Sequence, residues 1–147
     1  MKKSRRLKPV VRVAEGREQQ AARALGVAQA RLGQVQQQQE ELQRYRDDYR
    51  QRFQQAGAVG MGAVQLEDYQ QFLHKLEQAI EQQGQQVALA TQEVEAKRVL
   101  WFASRGKVRM LDTVVARYQA IEEQQVARRE QREQDERSQR GGRSETL

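Results

Sequence analysis

The chain of 147 residues has no cysteine and no asparagine, a single proline, and only one Trp, four Tyr and three Phe. Without thiols it can build neither a disulfide framework nor a thiolate metal site, and a reducing compartment such as the cytoplasm suits it. Long apolar runs are absent as well. Mean hydropathy is -0.98, and no stretch approaches the roughly 20 apolar residues of a membrane-spanning helix. The opening Met1-Lys2-Lys3-Ser4-Arg5-Arg6 carries the charge of a signal-peptide start. Leu7-Lys8-Pro9 follows where an apolar stretch is required, so secretion by the general route is not expected. A hydrophobic content of 37% with 31% charge cannot fill a thick core but can fill a narrow seam. Strands are disfavoured because β-branched and aromatic runs are missing, whereas Gln, the commonest residue, accepts helix readily.

What is present is a seven-residue register. Apolar residues spaced alternately 3 and 4 apart run through Val11, Ala14, Ala21, Leu25, Ala28, Leu32, Val35, Leu42, Tyr49, Phe53 and Ala56, interrupted by Glu18, Gln39 and Arg46. A second run passes through Leu66, Tyr69, Leu73, Leu76, Ile80, Val87, Ala90, Val94, Trp101, Val108, Leu111, Val115 and Tyr118, interrupted by Gln83, Lys97 and Ser104. Neither run contains a stutter, which is the signature of two coiled-coil helices. The Gln36-Gln37-Gln38-Gln39 tract, whose competing reading is low-complexity disorder, lies inside the first run.

Between the runs, Gly57, Gly60 and Gly62 mark a reversal. The expected fold is therefore all-α: a long antiparallel two-helix coiled coil, or helical hairpin, with an overhanging C-terminal helix. Pro9 suits a first helical turn. The expected organisation is a basic arm over 1–8, helix one over 9–56, a turn over 57–63, helix two over 64–137 and a disordered tail over 138–147. A hairpin turning about Met61 pairs residues whose numbers add to 122. Gln39 then meets Gln83, Glu18 meets Ser104, Ala21 meets Trp101 and Ala28 meets Val94. A parallel homodimer of one very long helix is the competing arrangement, and it would hold three glycines in mid-helix at about 1 kcal/mol each.

Catalytic chemistry is not legible. Residues 57–62 lack the Gly-Lys-Ser/Thr of a phosphate loop, and Gly106-Lys107-Val108 lacks both the preceding glycine spacing and the hydroxyl. His74 is the only histidine and falls outside the seam. Asp47, Asp48, Glu67 and Asp68 lie on solvated helix faces with no cleft to perturb them. We expect no enzyme activity, no cofactor and no metal. The net charge of +6 concentrates in the first twelve residues, which carry six Lys or Arg and no acid. Nucleic acid is not the expected partner: a basic-zipper reader ordinarily uses Asn with Arg, and here Asn is missing and Pro9 interrupts the basic stretch.

Two apolar rings fall just outside the seam. Tyr45 and Phe72 share one flank of the hairpin with Gln38 and Ala79, beside the edges of Leu42, Tyr49 and Leu76. Such a strip either contacts a protein partner or shields the seam. The segments Arg6-Leu-Lys-Pro-Val-Val-Arg-Val-Ala-Glu15, Leu42-Gln-Arg-Tyr-Arg-Asp-Asp-Tyr49 and Leu66-Glu-Asp-Tyr-Gln-Gln-Phe-Leu-His-Lys-Leu-Glu-Gln-Ala-Ile80 resemble the FliJ family of the bacterial flagellar type III export apparatus. The resemblance spans roughly residues 5–135.

It implies a coiled coil similar to the central stalk of rotary ATPases, at the cytoplasmic face of the inner-membrane export apparatus and joined to the membrane through protein contacts only. The implied partners are the hexameric flagellar export ATPase, the membrane export gate protein and export chaperones. On the resemblance, Gln38, Leu42, Tyr45, Tyr49, Phe72, Leu76 and Ala79 would face the gate, with Gln83 beside them where some relatives carry another polar residue. Arg5, Arg6, Lys8, Arg12, Tyr118, Arg128, Arg129 and Arg132 would face the ATPase ring. A cytosolic coiled-coil scaffold, or the equivalent stalk of a non-flagellar type III secretion system, is the alternative.

Overall fold

The structure, a computed structural model, describes residues 2–57 and 60–145. Met1, the turn residues Ala58 and Val59, and the tail residues Thr146 and Leu147 lie outside the described residues. Three helices follow in chain order: α1 (Lys3–Arg6), α2 (Lys8–Gly57) and α3 (Ala63–Glu145). Among the described residues there is no strand, and α2 and α3 form the helical hairpin expected from the two heptad runs. Gly60 takes the left-handed region at φ +95°, the only positive φ among the described residues, and a residue with a Cβ would be strained there.

The chain divides into two units: Gln20–Trp101, and Met1–Gln19 with Phe102–Leu147. In the first, Leu25, Ala28 and Val94 form a buried cluster against which Leu32 and Trp101 pack, and Val35 is the most enclosed side chain, at 1% exposure. In the second, Ala14 and Leu111 are buried. Every position of the first heptad run is buried or half-buried, polar interruptions included. In the second run only Leu66 is exposed, at 40%; it stands in the first turn of α3, before Tyr69 closes the seam. A seam this narrow withdraws one stripe from water and leaves the other faces of each helix largely polar, with apolar side chains such as Val27, Leu89, Val99 and Met110 exposed among them.

Two boundaries differ from expectation. The basic N-terminal segment is not an extended arm: residues 3–6 make a helical turn, and Leu7, in the αR region, leads directly into α2. Its placement follows from the heptad spacing, since continuing backward from Val11 lands on Leu7 and Ser4, which are half-buried and buried. The helical backbone of α3 also continues past 137 to Glu145. Propagating an existing helix costs far less than nucleating one, so a polar stretch without a seam partner can still extend it.

Candidate partner-binding surfaces

Within Gln20–Trp101, the residues nearest the reversal are held by aromatic rings. Phe53 and Tyr69 stack with centroids 3.5 Å apart and planes 11° apart. Tyr49 stacks on the same Tyr69 at 5.1 Å and meets Phe72 at 4.6 Å with a 59° tilt. Tyr45 closes the series edge-on to Phe72 at 6.1 Å. Rings are favoured here because they span a wide interhelical gap with few rotatable bonds, and offset or edge geometries satisfy their quadrupoles. The helix spacing i, i+4, i+8 puts Tyr45, Tyr49 and Phe53 on one face of α2, and i, i+3 puts Tyr69 and Phe72 on one face of α3.

The strip expected from the sequence is brought together in part. Tyr45, Tyr49 and Phe72 touch; Tyr45 is 51% exposed, while Tyr49 and Phe72 are half-buried. Leu42 and Ala79 are half-buried. Leu76 is buried at 7% exposure and belongs to the seam. Gln38 is exposed, and its side-chain oxygen accepts a hydrogen bond of 3.0 Å from Gln83 Nε2. The same nitrogen donates to the Val35 carbonyl at 3.0 Å. Gln83 therefore meets Gln38 and a backbone carbonyl, not the Gln39 expected opposite it. A helical carbonyl retains a second lone pair that a long amide can reach. Gln39 instead lies against Gly84, where a Cβ would come within 3.3 Å of its Nε2.

An open hollow beside the rings is lined by Tyr49, Arg52, Phe53, Ala56, Gly60, Met61, Gln65, Asp68 and Tyr69. Phe53, Tyr69 and Met61, all outside the strip, are thus parts of the same apolar surface. Their heptad positions had marked Phe53 and Tyr69 only as seam residues.

The second surface lies in the unit formed by residues 1–19 and 102–147. Ser4 donates its backbone N–H to Glu122 Oε1 at 3.2 Å and its hydroxyl to Glu122 Oε2 at 2.6 Å. Lys3 Nζ sits 5.5 Å from the centroid of the Tyr118 ring, a cation–π distance. The Ser4 hydroxyl and backbone N–H, with the nearby charge of Lys2, hold the Glu122 carboxyl below the usual carboxylate range against an opposing desolvation effect. The expected overhang beyond Tyr118 therefore begins later: α1 covers Tyr118 and Glu122, and continuous exposure starts at Glu123. The heptad register continues from Tyr118 to Glu122, but sequence reasoning missed its partner Ser4 because it began the first helix at Pro9. The missed signal was the 3-and-4 spacing carried backward from Val11, which reaches Ser4. Of the residues expected to face an ATPase, Arg5, Arg6, Lys8, Arg12, Arg128, Arg129 and Arg132 are exposed and Tyr118 is half-buried beneath Lys3.

Among the described residues, no cluster of three or more His, Cys, Asp or Glu suited to a metal ion occurs and no helix is long and apolar enough to cross a membrane. The molecule is thus of the helical-hairpin coiled-coil class, with its distinctive chemistry on an aromatic face and a basic N-terminal turn. The family model for the flagellar FliJ protein matches residues 2–146, and the chain belongs to that family. No curated protein and no solved structure matches it. Membership makes the chain a flagellar export-related protein.

Proposed function

We propose that this protein acts in the cytoplasm as a central-stalk-like subunit that binds and stimulates the hexameric flagellar export ATPase, contacts the membrane export gate protein, and escorts export chaperones. The observation that carries the reading is the pairing of a family-wide match over residues 2–146 with a hairpin whose polar faces leave most of its side chains to partners. On this reading Arg5, Arg6, Lys8, Arg12, Arg128, Arg129 and Arg132 engage the ATPase ring, and Tyr118 joins them. Gln38, Leu42, Tyr45, Tyr49, Phe72 and Ala79 engage the gate, with Leu76 supporting them from the seam.

Tyr45 is the best anchor of that second group, since half of its surface remains in water while its edge is already fixed against Phe72. A pre-positioned ring surrenders little rotamer freedom on binding. Two assays test the proposal. Purified protein should raise the ATPase rate of the export ATPase, and changing Arg128, Arg129 and Arg132 together to Glu should suppress that stimulation while helicity by circular dichroism is retained. Tyr45→Ala should weaken capture by the gate's cytoplasmic segment by about 2 kcal/mol, the usual cost of losing an aromatic anchor, and leave ATPase stimulation intact. Equal stimulation by the charge-reversed protein, or unchanged gate capture, would refute the corresponding surface.

A further inference from the structure

We propose that α1 is a latch over the ATPase-facing part of α3, drawn off by acidic groups of the ATPase ring. The inference rests on the ATPase assignment above. α1 leads through Leu7 into α2, and what fastens it over α3 is the set of side chains it touches there. Both donors of Ser4 are spent on the one carboxylate of Glu122, at 2.6 and 3.2 Å, and Lys3 caps the Tyr118 ring at 5.5 Å. Ser4 is 7% exposed, the one buried polar residue among the described residues.

The latch is nevertheless lightly fastened. Among the described residues, no ion pair engages Lys2, Lys3, Arg5, Arg6 or Lys8. Four of these cations stand on or next to α1, with no acid in the segment to neutralise them. An acidic surface would meet them at short range and compete with a single carboxylate. Withdrawal of α1 would uncover Tyr118 and Glu122, beside Ile121 and Gln125, which line the same recess and are already exposed. The closed latch therefore lowers apparent affinity for the ring by the fraction of time it stays shut.

The chain contains no cysteine, so the test can be made in the full-length protein. Ser4→Cys and Glu122→Cys are introduced together and joined by a short bifunctional thiol reagent that reductant cleaves. The joined protein should stimulate the export ATPase several-fold more weakly than the same protein after reduction, and reduction should restore stimulation. Ser4→Ala, with the latch loosened, should reach half-maximal stimulation at a lower concentration than the wild type. Equal stimulation before and after cleavage overturns the latch while the ATPase assignment stands. Failure of the wild type and of every unlocked form to stimulate overturns that assignment and the latch's role together. Weaker stimulation by Ser4→Ala would show α1 to be part of the binding surface, which also overturns the latch.

Discussion

The aromatic segment near the reversal and the segment where the N-terminal turn meets α3 close the same kind of seam by different chemistry. The first uses five rings in continuous contact, with centroid distances from 3.5 to 6.1 Å. The second uses one serine, one carboxylate and one cation over a ring. Ring contacts remove apolar area from water, which is not sensitive to salt or pH. Hydrogen bonds to an ionised group at a half-exposed site depend on its ionisation and compete with water and with other charges. A heptad repeat therefore sets where two helices meet, while the side chains at each layer decide whether the meeting is durable or reversible.

The sharpest way to break this comparison is to remove the ring shared by two stacks. Tyr69 touches both Phe53 and Tyr49, so Tyr69→Ala deletes two contacts and leaves a gap between helices that cannot collapse fully. The expected cost is about 2–4 kcal/mol, in the range of large-to-small core changes but below a fully enclosed site. Thermal unfolding followed by circular dichroism measures it. Tyr45→Ala, which removes one edge contact from a ring 51% exposed, should cost well under half as much. Equal losses from the two would mean that the rings act as one shielding layer and that Tyr45 is not available as an anchor.

The second prediction concerns the other segment and its response to acid. Glu122 is held below the ordinary carboxylate range by Ser4, with Lys2 adding to the effect, so its charged form is favoured in the folded state. A group depressed in this way contributes stability that is present above its unfolded value, about 4.3 for Glu, and lost as pH falls through the folded value. Lys2, Arg5 and Lys8 also face this recess, together with Glu123 and Glu130 from α3; Lys3 and Tyr118 flank it. Glu123 and Glu130 carry no such hydroxyl contact among the described hydrogen bonds. Amide exchange over residues 3–7, corrected for intrinsic rates, should therefore accelerate as pH falls below the ordinary Glu value of about 4.3 while exchange at Val35 and Leu25 does not. Glu122→Gln should remove the pH step. A step that survives in this variant would assign the titration to another carboxylate.

Much of this was legible in the sequence, for a physical reason. Spacing alone fixes which side of a helix a residue occupies, and every expected seam position except Leu66 is withdrawn from water. The pairing of Ala28 with Val94 appears in the buried cluster. The polar contacts were less legible because long side chains choose among several partners within reach. Gln83 was expected opposite Gln39 and instead reaches Gln38 and the Val35 carbonyl. The Ser4–Glu122 contact was hidden differently: a run of cations before Pro9 reads as a solvated arm, and only the placement of α1 against α3 reveals the shared carboxylate. The aromatic strip was placed by heptad position, with Leu76 lending it only the edge of a seam residue, and Leu76 lies in the seam at 7% exposure.

The smallest expected effect belongs to the one ion pair bridging α2 and α3 among the described pairs, Arg50 Nη2 to Glu77 Oε1 at 2.7 Å. Its short distance invites a large assignment, but both side chains are 45% exposed. Water screens such a pair, and holding two long side chains in one geometry costs rotamer entropy that offsets the attraction. A double-mutant cycle with Arg50→Ala and Glu77→Ala should give a coupling of about 0.2–1 kcal/mol, shrinking as salt is raised from 0.05 to roughly 1 M, where the screening length falls to about 3 Å. The Tyr69→Ala loss, measured in the same two salts, should hold constant. A coupling that persisted at high salt would mean that the Arg50–Glu77 contact is held by its short charge-assisted hydrogen bond and not by screened long-range attraction.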